Sequence, residues 1–101
     1  MGQVVAEVTV VPLGTGSASL SAWVADVEKV LKGFPRLKSL LTPMSTILEG
    51  DLDEVIEAVK AMHEAPFRLG ALRVSTTLRI DDRRDRPLTM AGKLEAVNEK
   101  L

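Results

Sequence analysis

The side chains with the clearest chemical potential in this sequence are one histidine, one carboxylate in a predicted strand and a group of hydroxyls. His63 is the only histidine, and the chain contains no cysteine. A metal site is not predicted, because thiolate ligands are absent and Glu64 would project about 100° away from His63 on a helix. Phe67 lies four residues after His63, so the two rings share a helix face and could line one end of a pocket.

Glu7 is the most informative carboxylate, because its neighbours on the same side of an extended chain include Val5 and Thr9. A glutamate on such a face loses hydration when the face is covered, and it then needs a cation or a hydrogen-bond donor. Two interpretations remain open. Glu7 forms an ion pair with Arg73 or Arg79 of a neighbouring strand, or it contacts a bound ligand.

Four hydroxyl side chains lie near the middle of the chain and in its last predicted strand: Thr42, Ser45, Thr46 and Thr76. They could form hydrogen bonds to a small polar ligand, although threonine is also a favourable strand residue. No serine has a plausible base other than His63, and no two carboxylates form an obvious acid–base pair. We therefore expect a protein that is not an enzyme and that carries no cofactor.

Composition and charge are those of an ordinary globular domain. The 101 residues are 46% hydrophobic and 27% charged, which predicts a single domain over residues 1–101. A formal net charge of −1 does not indicate binding to nucleic acid or to an anionic membrane. Neither a signal peptide nor an apolar run long enough to span a membrane is present, so we expect a cytoplasmic protein.

Hydrophobic periodicity predicts alternating strands and helices. The predicted strands cover residues 4–11, 37–42, 46–49 and 72–80. The predicted helices lie between residues 20 and 33, 51 and 70, and 89 and 101. In the first strand, the even-numbered residues form the face expected to meet the core.

Cap residues support these boundaries. Either Ser17 or Ser19 could cap the first helix, and Thr89 could cap the last. Asp51 with Glu54 forms a capping box at the start of the second helix. Pro66 lies in the last turn of that helix, where it removes a donor and should kink or loosen the end.

The order β-α-β-β-α-β followed by a C-terminal helix predicts an α+β protein with a ferredoxin-like antiparallel sheet. Two helices cover one face of the sheet, so Val5, Val11 and Ile47 would remain open on the other. Bare apolar sheet surface often marks an interface, and the amphipathic last helix also needs a surface to pack on. We therefore expect a homo-oligomer formed through sheet-to-sheet contact.

Three runs, over residues 6–16, 41–51 and 80–85, resemble the thiamine-binding protein family. This family includes MTH1187-like and YkoF-like proteins and was formerly known as a domain of unknown function. The resemblance covers essentially the whole chain. It implies a ferredoxin-like fold, a homotetramer, and binding of thiamine or its hydroxymethylpyrimidine moiety without catalysis. Similar sequences usually carry glycine where this chain has Ser45, and a helix-compatible residue where it has Pro66.

An aminopyrimidine needs an apolar or aromatic slot with donors and acceptors at its edge. Two locations for that slot remain open. One lies between the helices and the sheet, with Trp23 as a further candidate wall; the other lies at the sheet-to-sheet interface and would use Glu7. The first location would draw on Thr42, Thr46, His63, Phe67 and Thr76. The alternative function is an oligomeric scaffold or regulatory module that binds another small molecule, an anion or a protein.

Overall fold

Four strands form one antiparallel sheet in the computed structural model, which describes residues 3–101. The strands are β1 (Gln3–Leu13), β2 (Lys38–Leu41), β3 (Thr46–Asp51) and β4 (Arg73–Asp81), and they lie in the order β2-β3-β1-β4. The helices are α1 (Ser21–Lys29), α2 (Leu52–Arg68) and α3 (Met90–Asn98), and a 3₁₀ turn covers Val30–Gly33. The predicted α+β fold class and element order are confirmed.

The core lies between one face of the sheet and the helices α1 and α2. Val4, Ala6 and Val8 of β1 are buried, as the alternation of that strand predicts. They form one cluster with Leu48 of β3 and with residues from both helices. The helical members of that cluster are Val27, Val55, Ala58, Val59, Met62 and Ala65.

Strand β1 continues past the position where the sequence predicts its end. Pro12 and Leu13 still pair with Val74 and Arg73 of β4. On the other side of β1, pairing with β3 stops at Val8. A proline is tolerated at this end of the strand, because beyond Val8 the strand has a neighbour on one side only.

The predicted side-chain cap of α1 is wrong. The N-cap residue is Leu20, and no side chain accepts a hydrogen bond from the first turn. The Ser17 hydroxyl instead accepts from the backbone N–H of Ser19 at 3.1 Å, which stabilises the preceding loop. Serine side chains bond readily to nearby backbone outside helices, and that local bond replaces the cap here.

The other two caps are confirmed. The Asp51 carboxylate accepts from the backbone N–H of Glu54 at 3.2 Å, and Thr89 accepts from Gly92 at 2.9 Å. The reciprocal half of the capping box is absent, because the Glu54 carboxylate pairs with Arg36. Pro66 is fully buried in the last turn of α2, and the helix continues beyond it to Arg68.

Helix α3 lies across part of the sheet face that the sequence analysis predicted to be open. Val5, Glu49 and Asp81 form one row across the three strands. The Glu49 carboxylate accepts from the backbone N–H of Met90 at 2.6 Å, and Lys93 pairs with Asp81. The helix therefore passes over Val5, which is 9% exposed. The expectation that Val5 is open was wrong, because the chain covers it with its own last helix.

No helix within residues 3–101 is long and apolar enough to cross a membrane.

The buried core makes a direct stability prediction. Leu48 is completely buried, so Leu48→Ala should lower the free energy of unfolding by about 3 kcal/mol through lost transfer energy and a residual cavity. Leu72→Ala is the matched control, because Leu72 is 95% exposed, and its effect should stay within about 0.5 kcal/mol. Urea unfolding followed by circular dichroism measures both; equal losses would contradict the assigned core.

Candidate ligand-binding site

A cavity of about 200 Å³ lies between α1, the helix-facing side of the sheet and the turn that joins β2 to β3. The wall is mostly apolar, and its polar groups come from α1 and from the strand ends. The apolar wall includes Val8, Val10, Leu20, Val24, Val27, Leu41, Met44 and Met62. The polar lining consists of Thr9, Glu28, Thr42, Ser45 and Thr46.

Glu28 supplies the charged group of this cavity. It lies four residues after Val24, which also lines the cavity. Residues four apart share a helix face, so the packing of α1 turns Glu28 towards the sheet. The Thr46 hydroxyl donates to Glu28 Oε1 at 3.0 Å.

The second oxygen of this carboxylate, Glu28 Oε2, is buried and has no hydrogen-bond partner within residues 3–101. Burial raises the pKa of Glu28, and the hydrogen bond from Thr46 opposes that shift without cancelling it. A buried polar atom without a partner typically costs about 1–3 kcal/mol. Glu28 therefore carries an unsatisfied polar atom in the protein beside the cavity.

The Thr42 hydroxyl forms hydrogen bonds within the turn at the mouth of the cavity. It donates to the Ser45 carbonyl at 2.8 Å and accepts from the Ser45 backbone N–H at 3.0 Å. The Thr42 backbone N–H also donates to the Ser45 carbonyl at 2.8 Å. Thr42 therefore shapes the rim of the cavity, while Thr46 is the hydroxyl that acts on Glu28.

Glu7 lies on the opposite side of the sheet from this cavity. Its Oε1 accepts from Arg79 at 3.1 Å, and its Oε2 accepts from the Ser45 hydroxyl at 2.9 Å. Both carboxylate oxygens thus have protein partners. Glu7 thus forms the predicted ion pair with Arg79, whose side chain is 81% exposed, so the pair is of the weak surface kind. Glu7 also lines a groove of about 610 Å³ on this face, so the predicted ligand contact stays an open alternative.

His63, Phe67 and Thr76 form a separate cluster. His63 Nδ1 and Thr76 Oγ1 are 2.7 Å apart, and the His63 and Phe67 rings meet edge to face at 5.6 Å. None of the three lines the cavity, and neither does Trp23. Adjacent helix residues point about 100° apart, so α2 turns Met62 into the cavity and His63 towards β4.

The residues predicted to form the binding slot therefore do not all lie together. The structure brings Thr42, Ser45 and Thr46 to the cavity, and it places the His63 cluster and Glu7 elsewhere. The sequence analysis missed Glu28. A signal was present, because Glu28 interrupts the apolar stripe of α1 at a position where a solvent-exposed acid is not expected.

The charged residues that follow β4 form ion pairs with one another. Arg83 contacts Asp85 and Arg84 contacts Asp82 through their guanidinium groups. These contacts lower the pKa of Asp82 and lower that of Asp85 to about 2. Within the described part of the chain, no group of three or more histidine, cysteine, aspartate or glutamate side chains is placed to hold a metal ion.

Fold and cavity together describe a small α+β protein with a candidate site for a small organic molecule. The sequence model of the thiamine-binding protein family matches residues 6–98. The chain therefore belongs to the thiamine-binding protein family, as its resemblance implied.

Individual relatives are similar to this chain along nearly their whole length. A UPF0045 protein of Methanothermobacter thermautotrophicus is 50% identical over 99 residues, covering 97% of this chain and 99% of the relative. UPF0045 protein YqgV of Bacillus subtilis is 48% identical over 100 residues, covering 96% of each. The crystal structure of the Methanocaldococcus jannaschii protein MJ1052 superposes with a TM-score of 0.88 at 41% identity, covering 98% of this chain and 99% of that one.

The buried carboxylate predicts a pH-dependent stability. Because the pKa of Glu28 is raised in the folded protein, its contribution to stability is full below its ordinary pKa of 4.5 and is lost as the pH rises through the folded value. Glu28→Gln removes the charge, so at pH 7 it should raise the free energy of unfolding relative to the native protein. Below pH 4.5 the difference should disappear.

Urea unfolding between pH 4 and pH 8 tests this expectation. Glu57→Gln is the matched control, because Glu57 is an exposed glutamate on α2, and it should leave the profile unchanged. A Glu28→Gln protein that is less stable than the native one at pH 7 would contradict the assignment.

Proposed function

We propose that this protein binds thiamine or a thiamine-related hydroxymethylpyrimidine in the cavity beside α1, and that it does so without catalysing a reaction. The observation that carries the proposal is a mostly apolar cavity with a charged side chain, Glu28, in its wall. Membership of the thiamine-binding protein family supports the choice of ligand.

The volume of the cavity is suited to one aromatic ring. An apolar cavity of about 150 Å³ is enough to hold benzene, whereas pockets that enclose drug-sized ligands begin at about 300 Å³. At about 200 Å³, this cavity has room for a single substituted ring. Thiamine has two rings, so we place its pyrimidine inside and its thiazolium beyond the mouth, next to Met44, which is 85% exposed.

The chemistry of the wall also suits a pyrimidine. The flat faces of the ring would pack against Val24, Val27 and Met62, which removes apolar surface from water. Its edge carries an amino group that needs an acceptor, and the Glu28 side chain is the charged acceptor in the cavity wall. Pairing the two would satisfy the amino group away from bulk water.

Calorimetric titration with thiamine and with hydroxymethylpyrimidine tests the proposal. We expect saturable binding, and Thr46→Val should weaken it about fivefold, because the hydrogen bond that orients Glu28 is lost. Thr76→Val is the matched control, since Thr76 bonds to His63 outside the cavity and its loss should leave the affinity unchanged. The proposal fails if neither compound gives heat or a thermal shift at millimolar concentration.

We also propose that the protein is a homo-oligomer, and the remaining open sheet face supports this. A groove of about 610 Å³ lies between α3 and the sheet, and its lining includes Leu40, Ile47 and Arg79. Leu40 is 51% exposed, and Leu94, at the opposite side of the groove, is 64% exposed. A second copy would bury these apolar groups, and the homotetramer implied by the sequence resemblance is the assembly that we propose.

Sedimentation velocity tests the assembly. Leu40→Asp places a charge in the groove, so it should shift the protein towards smaller species by opposing burial of that face. Leu72→Asp is the control, because Leu72 is 95% exposed and does not line the groove. A native protein that sediments as a monomer at micromolar concentration would overturn the proposal.

A further inference from the structure

We propose that the hydrogen bond between Ser45 and Glu7 couples ligand binding in the cavity to self-assembly through the groove on the opposite face of the sheet. The inference rests on the proposed function, since it takes the cavity beside α1 as the ligand site and a second copy as the occupant of the groove. It adds regulation of that site, because each of the two events should strengthen the other.

The turn between β2 and β3 belongs to both sites. Residues 41–45 all line the cavity. Thr42 also lines the groove, together with Leu40, which lies two residues before it. A shift of this turn would therefore change the mouth of the cavity and the edge of the groove at the same time.

The Ser45 hydroxyl ties this turn to the groove. It donates to Glu7 Oε2 at 2.9 Å, while Arg79 donates to Glu7 Oε1 at 3.1 Å. Both Glu7 and Arg79 line the groove. The backbone N–H and carbonyl of Ser45 bond separately to the Thr42 hydroxyl, so they shape the turn without involving Glu7.

The charges of the groove suit a second copy of the same surface. Its lining contains two acids, Glu7 and Asp81, which pair with two bases, Arg79 and Lys93. Equal numbers of acids and bases allow two copies of this face to meet around a two-fold axis without net repulsion.

Assembly would strengthen the link between Glu7 and the turn. The Glu7 side chain is 39% exposed, so water competes for its oxygens in a single copy. A second copy in the groove would exclude that water and lower the local dielectric, which strengthens the hydrogen bond from Ser45. The turn would then be held more firmly in the conformation that forms the mouth of the cavity.

A mouth that is already ordered favours the ligand. Binding to a preorganised site costs less conformational entropy than binding to a site that the ligand itself must order. The ligand should therefore bind the assembled protein more tightly. Linkage then requires the bound ligand to favour assembly in turn, and couplings of this kind usually amount to at least about fivefold.

Calorimetry with thiamine tests the coupling in a double-mutant cycle of native protein, Leu40→Asp, Ser45→Ala and the double variant. Leu40 lines the groove and not the cavity, so Leu40→Asp opposes assembly. Ser45→Ala removes the bond to Glu7 and leaves the backbone bonds to Thr42. Each single variant should weaken thiamine binding about fivefold, and the double variant should lose less than about twofold more.

Sedimentation velocity measures the reciprocal effect, at a protein concentration where the native assembly is partly dissociated. Saturating thiamine should shift the native protein towards larger species and should leave the distribution of Ser45→Ala unchanged. Ser75→Ala is the matched control, because Ser75 is exposed on β4 and lines neither the cavity nor the groove. It should behave as the native protein does in both measurements.

The outcomes separate the inference from the proposed function. Additive losses in the double variant, or a native assembly that does not respond to bound thiamine, would overturn the inference while the proposed function stands. A native protein that binds neither thiamine nor hydroxymethylpyrimidine, or that is a monomer, would overturn the proposed function and the inference with it.

Discussion

Burial of one face of the central strand β1 is the constraint on which the rest of the structure depends. Val4, Ala6 and Val8 are nearly inaccessible to solvent, and both α1 and α2 pack on that side. The period of two in a strand then places the Glu7 side chain, between Ala6 and Val8, on the opposite face. Glu7 and its bond to Arg79 therefore belong to a different surface from the cavity, although they lie only one residue from the core.

The same strand explains where the cavity forms. Strand β3 stops pairing with β1 at Val8, while β1 continues to Leu13. Past that point the space beside β1 is bounded by α1 and by the turn between β2 and β3, and no strand fills it. Glu28 lies at its edge, and one of its carboxylate oxygens is buried without a partner within the described residues.

The sheet face that points away from α1 and α2 is covered only in part by the chain's own last helix. Glu49 is 5% exposed and binds the N-terminal end of α3, which holds that helix over Val5. The rest of α3 adds little buried surface, since Leu94 and Val97 remain exposed. This face is therefore closed at one end and open at the other, which is the geometry expected of a surface that a second copy could complete.

The sequence by itself determined the order of strands and helices, the buried face of β1, the caps Asp51 and Thr89, and the family. These features follow from patterns within a few residues or from short runs that the family shares. Only the tertiary structure decided that Glu28 meets Thr46, that Met62 rather than His63 lines the cavity, and that α3 covers Val5. Each of these depends on how separate elements pack against one another, and packing between distant segments leaves no periodic signal in the chain.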